Sequence, residues 1–305
     1  MIGLYALLTT AFAQEESSFS GGATPAYNIQ LFSPQPDGFQ GFMLSEGSLP
    51  TNTITSRLVF HSSGNLLRYR DYNGEVQKIV GSTSEADLFI GYNLFSTIRF
   101  AFGLPVILGA QSDTIQDLSG GIGDIKFNVK LAPINSPSYS VGFVFDSSVP
   151  TSRIQAPLAN DSFVWSGVVA AELKLFKGSA LRFNVGHQAQ PTVSYENYSW
   201  GSGAVLGIGF SLPLANFIPD LDEATAEAME QFDFGLTVEN RNLAPYSTIS
   251  NPSQYVSEGL FGLWGTYKPL DLTARLGTGF GFTGTPGTAS SRFLLDVTYS
   301  PTPKE

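Results

Sequence analysis

Between Asp124 and Leu131 the chain alternates without a fault. Asp124, Lys126, Asn128 and Lys130 share one parity; Ile125, Phe127, Val129 and Leu131 share the other. A β-strand sends successive side chains to opposite faces, so this stretch is a ribbon with one wet side and one apolar side. In Thr97–Leu108 the pattern recurs, with Ile98, Phe100, Phe102, Leu104, Val106 and Leu108 opposed to Thr97, Arg99, Ala101, Gly103 and Pro105. Ribbons of this kind follow one another along the chain. They satisfy their backbones by closing into a barrel with hydrocarbon outside and a polar lumen inside. The expected fold is all-β: a transmembrane, antiparallel, up-and-down β-barrel of about 12 strands in the outer membrane of a diderm bacterium.

Composition agrees. Charged residues make up 14% of the 305, against roughly 25% in soluble domains, and aromatics reach 13%. Mean hydropathy lies near zero, and no run of about 18 apolar residues occurs, which excludes a helical membrane protein but not a barrel. Lys and Arg number 16 against 26 Asp and Glu, a net charge of −10, which disfavours nucleic acid as a partner. With no Cys there is no disulfide framework, thiol nucleophile or Cys-metal site.

Met1 to Ala13, ending in Ala11-Phe12-Ala13, reads as a secretory signal, although no Lys or Arg precedes its apolar stretch, which leaves the start position open. Residues 14–50 carry Pro25, Pro34, Pro36 and Pro50 and are expected to form an irregular periplasmic arm packed into that end of the barrel. Residues 51–300 are the barrel and 301–305 a tail. The twelve strand candidates are Thr53–Arg70, with a bulge at Gly64, then Glu85–Leu94, Thr97–Leu108, Ile122–Leu131, Tyr139–Val149, Phe163–Phe176, Ala180–Ala189, Gly201–Leu212, Phe232–Asn240, Val256–Tyr267, Leu270–Phe282 and Arg292–Tyr299. Short and long links alternate, as periplasmic turns alternate with extracellular loops. Leu212 to Phe232 breaks that rule. There Asp220 and Glu223 resemble a capping box, and Asp222, Glu227 and Glu230 add acids without a base, so a short periplasmic helix is expected. It reads either as a solvated cap or as a docking element for a basic partner or cation.

Inward parities give a lumen list with both signs. Its acids are Glu85, Asp87, Asp124, Asp146, Glu172, Asp233, Glu239, Glu258, Asp271 and Asp296. Its bases are Arg57, Arg99, Lys126, Lys130, Lys174, Arg182, Arg241, Arg275 and Arg292, with Asn128 beside them. Buried charges must be paired or wet, so the balance implies ion pairs across the lumen. Gly201, Gly203, Gly207 and Gly209 on one strand, and Gly277, Gly279 and Gly281 on another, leave the wall thin. A water-filled passage and a lumen closed by side chains or by the arm both stand, because about eight strands can be filled by side chains and about sixteen leave a channel.

The ending LGTGFGFTGTPGTASSRFLLDVTYSP resembles the last hairpin of a group of outer-membrane barrels that often precede a periplasmic OmpA-like peptidoglycan-binding domain. There a Gly-rich strand and a G-x-P loop precede R-F-x-x-x-L/V-x-Y-x-P. Similar too are YNIQLFSPQPDGFQGF, IRFAFGLPVIL, GIGDIKFNVKL and SVPTS, over roughly Tyr27 to Pro301. The resemblance implies fold and a loosely porin-like label, with no functional residue to carry over; ending at Glu305, the chain is expected to lack the OmpA-like domain. The aromatic end of the last strand, Phe293 to Tyr299, is similar to the signal read by the outer-membrane assembly machinery.

Only His61 and His187 exist, with no H-E-x-x-H, P-loop or His/Cys cluster. No cofactor or metal is expected, and the chain is read as a non-enzyme. His187, on the lipid parity near an extracellular end, raises a lipid-modifying enzyme of the outer membrane as a third reading, since such enzymes use Ser and His there; a headgroup-level His is the plainer one. The leading reading is porin-like passive transport of small polar solutes. The second is a scaffold barrel with a closed lumen that acts through its loops or the acidic helix. Membrane lipids are the partners common to all three.

Overall fold

The computed structural model describes residues 17–18, 30–36, 41–49, 54–70, 76–95, 97–113, 120–152, 154, 158–160, 162–195, 198–217, 231–249, 255–283, 285 and 287–301. The expected signal peptide and the acidic helix at 220–230 lie outside them.

One sheet closes on itself. Its long strands are β1 (Ile54–Arg70), β2 (Val76–Leu94), β3 (Ile98–Gln111), β4 (Ile125–Asn135), β5 (Tyr139–Val149), β6 (Val164–Lys174), β7 (Ala180–Ala189), β8 (Gly203–Pro213), β9 (Phe232–Pro245), β10 (Val256–Tyr267), β11 (Leu272–Gly281) and β12 (Ser291–Tyr299). Each pairs antiparallel with the next, and β12 pairs with β1, from Ser291 opposite Gly64 to Tyr299 opposite Ser56. The sheet counts thirteen strands only because the two-residue piece Gly121–Ile122 also pairs with β3. Closure leaves no open edge, which is the condition for a sheet to span a bilayer. The chain is therefore an outer-membrane-type β-barrel of twelve strands.

The alternation gives it its two faces. On β12, Phe293, Leu295, Val297 and Tyr299 are exposed while Arg292, Leu294, Asp296 and Thr298 are buried. The outward set around the wall includes Phe100, Phe102, Phe127, Phe143, Leu206, Ile208, Phe261, Leu263 and Leu276. This is the lipid-facing band of an outer-membrane protein, where exposed apolar surface is stabilised by hydrocarbon. Aromatic residues gather at both rims. Phe232 stacks on Tyr267 at 4.7 Å at one end, and Trp165, His187 and Tyr246 meet at the other.

Connections at one end are 95–97, 136–138, 175–179 and 268–271, with 214–231 the long exception; at the other they include 112–124, 150–163, 190–202, 246–255 and 282–290. We call these the turn end and the loop end. Outer-membrane barrels keep short turns in the periplasm and long loops outside.

Several strands run longer than alternation indicates: β2 and β4, and also β3, which reaches Gln111, and β9, which reaches Pro245. β2 begins at Val76 rather than Glu85 because the β1–β2 hairpin continues past two irregularities, at Gly64–Leu67 and at Leu67–Arg68. Asn65, with φ 54°, takes up the first; Asn tolerates the left-handed region better than other side-chain residues. Both irregularities flip the parity, so the pattern hides the continuity. β4 runs to Asn135 through Pro133, whose missing donor falls in the irregular pairing between Leu131 and Ile134.

Candidate functional site

The lumen is threaded by its own chain. Residues 30–36 and 41–49 lie inside the wall. Leu31, Phe32, Phe42, Met43 and Leu44 are each at most 5% exposed. The thread spans the barrel lengthwise. Leu31 N–H donates to Gly287 O in a loop-end connection, whereas Gly47 lies against Ser140 next to the turn end, where β1 starts. Still earlier, Ser17–Ser18 pairs parallel with Val193–Ser194 of the 190–202 connection.

A Pro-interrupted segment with a bulky apolar triplet has reason to sit there, because the wall has holes to receive it. A Cβ at Gly209 would stand 2.9 Å from Leu44 and one at Gly277 would stand 3.0 Å from Phe42; at Gly207 and Gly262 the overlap would be worse. The inward glycines are thus sockets for Leu44 and Phe42. Phe32, Phe42 and Met43 join Leu260 and Leu294 of the wall in one apolar cluster, and Leu31 joins Val205, Leu243 and Val256 in another.

Glu239 fastens the thread. Its carboxylate accepts from the N–H groups of Phe42 and Met43, both at 2.9 Å, and of Leu44 at 3.4 Å. Asn184 accepts from Ser45 N–H and donates to Ser45 O, each at 2.9 Å. Arg57 donates to Gly41 O at 3.1 Å and to Gln35 O. The backbone groups of a segment without secondary structure must be satisfied somewhere when buried, and the lumen side chains do it.

The charges of the wall form compact networks. Asp296 receives Arg57 at 2.5 Å and Arg275 at 2.9 Å, all three within 2% of full burial. Arg182 donates to Glu172 at 3.0 Å and reaches Glu46 of the thread at 3.5 Å. Arg292 is paired with Glu258 and lies 4.3 Å from the centre of the Phe32 ring. Lys126 donates to Asp87 at 2.7 Å, and Arg99 to Asn93 at 2.9 Å and to Thr55. Lys130 is fully buried. Asp124 accepts from the N–H groups of Thr151, Ser152 and Asn160 at 3.1, 3.0 and 2.6 Å, which binds the 150–163 connection down.

Three members of the lumen list stand at the turn-end rim instead. Lys174 donates to Asn135 and Ser136 O, both at 2.9 Å. Asp233 pairs with Lys268 at 3.3 Å, both about half exposed, and Asp271 occupies a left-handed turn position with φ 52°.

His61, Glu85 and Asp87 are the one cluster among the described residues with ligand atoms close enough for a metal. His61 Nε2 lies 3.2 Å from Asp87 and 3.7 Å from Glu85. Arg292 Nη1, however, is 3.3 Å from His61 Nδ1. A guanidinium only donates, so Nδ1 accepts and Nε2 carries the proton toward Asp87. A metal at Nε2 would force the proton onto Nδ1, against the guanidinium. The cluster fits a hydrogen-bonded ion network, not a metal site.

Beside the thread, on the loop side, lies a cavity of about 130 Å³, room for on the order of ten waters. Its polar lining includes Lys126, Asn128, Asp146, Ser166, Gln188 and Arg241. Asn128 donates to Asp146 at 2.6 Å. Toward the turn end the space shrinks to a gap of about 10 Å³ between Leu44, Ser45, Asn184 and Arg241. Gln30 to Pro36 of the thread line the cavity, and Met43, Leu44 and Ser45 line the gap, which shares Gln35, Asp146 and Arg241 with it.

On the outer surface His187 is sandwiched. Its ring stacks on Tyr246 at 5.5 Å and meets Trp165 edge-on at 5.2 Å, and Nδ1 lies 3.0 Å from Tyr246 Oη. Alternation identifies its lipid-facing parity; the two aromatic neighbours come from β6 and from the end of β9.

No protein-family model matches the sequence, and no curated protein matches it. Among solved structures the chain is similar to an outer membrane channel from Pseudomonas putida F1, with 12% identity over 83% of this chain and 96% of that one and a TM-score of 0.57. The NanC porin aligns over 81% of this chain and 100% of that one, with 9% identity and a TM-score of 0.48. The first of these likenesses is one of fold: a barrel of the outer membrane.

Proposed function

We propose that this barrel is a gated outer-membrane channel for small polar solutes, plugged at rest by residues 41–49. The observation that carries the reading is the polar cavity on the loop side, lined by residues 30–36, with the stretch held by Glu239 bordering the small gap that adjoins it. Solutes enter from outside, rest in the cavity, and pass when the segment held by Glu239 is displaced. A lining with both signs and several amides suits polar solutes over oils. A second reading, a closed scaffold, draws on the dense ion pairing around Asp296 and Glu258. We read His187 as a girdle residue without a catalytic role and residues 1–13 as an export signal. We further propose kinship with the barrels that precede OmpA-like domains, and that β12 is the segment engaged by the assembly machinery.

Planar-bilayer recording tests the reading. Wild-type protein should conduct rarely. Glu239→Gln, which keeps the shape but weakens charge-assisted bonds of about 1.5–3 kcal/mol each, should open far more often. A variant as silent as wild type, in correctly closed barrels, would move the assignment to the scaffold.

A further inference from the structure

Every other buried arginine of the wall has partners: Arg57 and Arg275 share Asp296, Arg182 has Glu172 and Glu46, Arg292 has Glu258, and Arg99 has Asn93 and Thr55. Arg241 does not. It is 6% exposed, and its Nε and Nη1 have no hydrogen-bond partner. It forms no ion pair among the described residues. It lines both the cavity and the gap beneath it. Asp146, and after it Glu258 and Glu239, act on it through space, but none forms an ion pair with it: Glu239 is turned to the thread and Glu258 is paired with Arg292, and a guanidinium without a direct partner in a low-dielectric site is costly.

We infer that Arg241 makes the loop-side cavity a binding site for the carboxylate group of a small organic acid. This rests on reading the cavity as a solute vestibule, and it names the solute class. Guanidinium recognises planar oxyanions through charge-assisted hydrogen bonds. Size limits the ligand: about 130 Å³ lies well below the roughly 300–1,000 Å³ of drug-sized pockets, so the acid has only a few carbons. Charge limits it further. Asp146 lines the same cavity as Arg241, and Asn128 already donates to it, so a monoanion is accommodated better than a dianion. Amide and hydroxyl groups of Gln188, Asn128 and Ser166 surround the remaining space and suit a hydroxyl or carbonyl on the acid.

The test is equilibrium binding to the full chain refolded in detergent, with no passage required. Carbon-13-labelled acetate and lactate are titrated and followed by NMR, with inorganic phosphate and chloride as competitors. Saturable carboxylate binding is expected, weakened about tenfold or more in Arg241→Gln and partly retained in Arg241→Lys. Because Arg241→Gln could disturb folding, a second variant is used. The chain has no Cys, so Ser166→Cys carrying a bulky neutral thiol adduct should fill the cavity and block binding with Arg241 intact. Absent carboxylate binding in wild type, unchanged binding in folded Arg241→Gln or in the blocked variant, or tighter binding of phosphate than of lactate would each overturn the assignment. Conductance is read separately, so a silent channel that binds acetate and a conducting one that does not are told apart.

Discussion

The two sides of the lumen are filled in opposite ways. Along β8 and β10–β12 the thread is driven into the wall: Phe42 and Leu44 fill glycine sockets, and Asp296 and Glu258 pair with three buried arginines. Along β3–β7 the same barrel keeps a cavity, with hydrogen-bonding groups of Asn128, Ser166 and Gln188 on its surface. Both sides derive from the same alternation of polar and apolar residues. What separates them is where the thread's bulky side chains fall: Leu44 and Phe42 enter the glycine sockets of β8, β10 and β11, whereas residues 30–36 only border the cavity.

The largest expected effect lies on the sealed side. Asp296→Ala strands Arg57 and Arg275 in a dry interior, and breaking one buried pair costs about 3–5 kcal/mol. Urea denaturation in detergent micelles should show a loss of at least that size; a loss under about 1 kcal/mol, the level of an exposed pair, would mean that water reaches this network. An intermediate effect contrasts the sides directly. A charged, membrane-impermeant thiol reagent added outside should label Asn128→Cys at least about tenfold faster than Met43→Cys, a difference of about 1.4 kcal/mol in access. Phe127→Cys, facing hydrocarbon, should also be spared. Equal rates at 43 and 128 would erase the distinction between the sides. The smallest effect belongs to the rim, where Lys268→Ala removes the half-exposed pair with Asp233. Urea midpoints should move by no more than about 1 kcal/mol of stability, and a larger shift would place that pair in the folded core.

The wall was legible in the sequence because each strand carries its own record: Phe127 and Asn128 face opposite ways whatever their neighbours do. Strand ends were less legible where the period slips, at Asn65 and at Pro133, since a bulge costs one residue of phase. For the site, parity puts Asp296, Arg275 and Arg57 on one face, but it carries no information about which carboxylate meets which guanidinium across strands far apart in the chain. An arm at residues 14–50 that closes the lumen was one of two open readings; that it runs through to the loop end instead of staying at the periplasmic end, and how it fits the wall, were not legible. Its signals were the apolar triplet Phe42-Met43-Leu44 in a proline-broken segment and the inward glycines Gly207, Gly209, Gly262 and Gly277. A missing side chain on one element and an excess on another are complementary only once the elements are neighbours. That Arg241 has no hydrogen-bonded carboxylate among the described residues was invisible for the same reason.

Threading also constrains the order of assembly. The segment enters at one mouth of the barrel and leaves at the other, while the seam that encloses it joins the first strand to the last, with Arg57 meeting Asp296 across 239 positions of chain. A closed ring does not admit a strand sideways. The thread must lie in the nascent sheet before the seam zips, or be drawn lengthwise afterwards through a space its own bulky residues fill. Closure is the most non-local pairing in this chain, with the largest loop-closure entropy to overcome, and the thread is positioned to act as the mandrel around which the sheet curls.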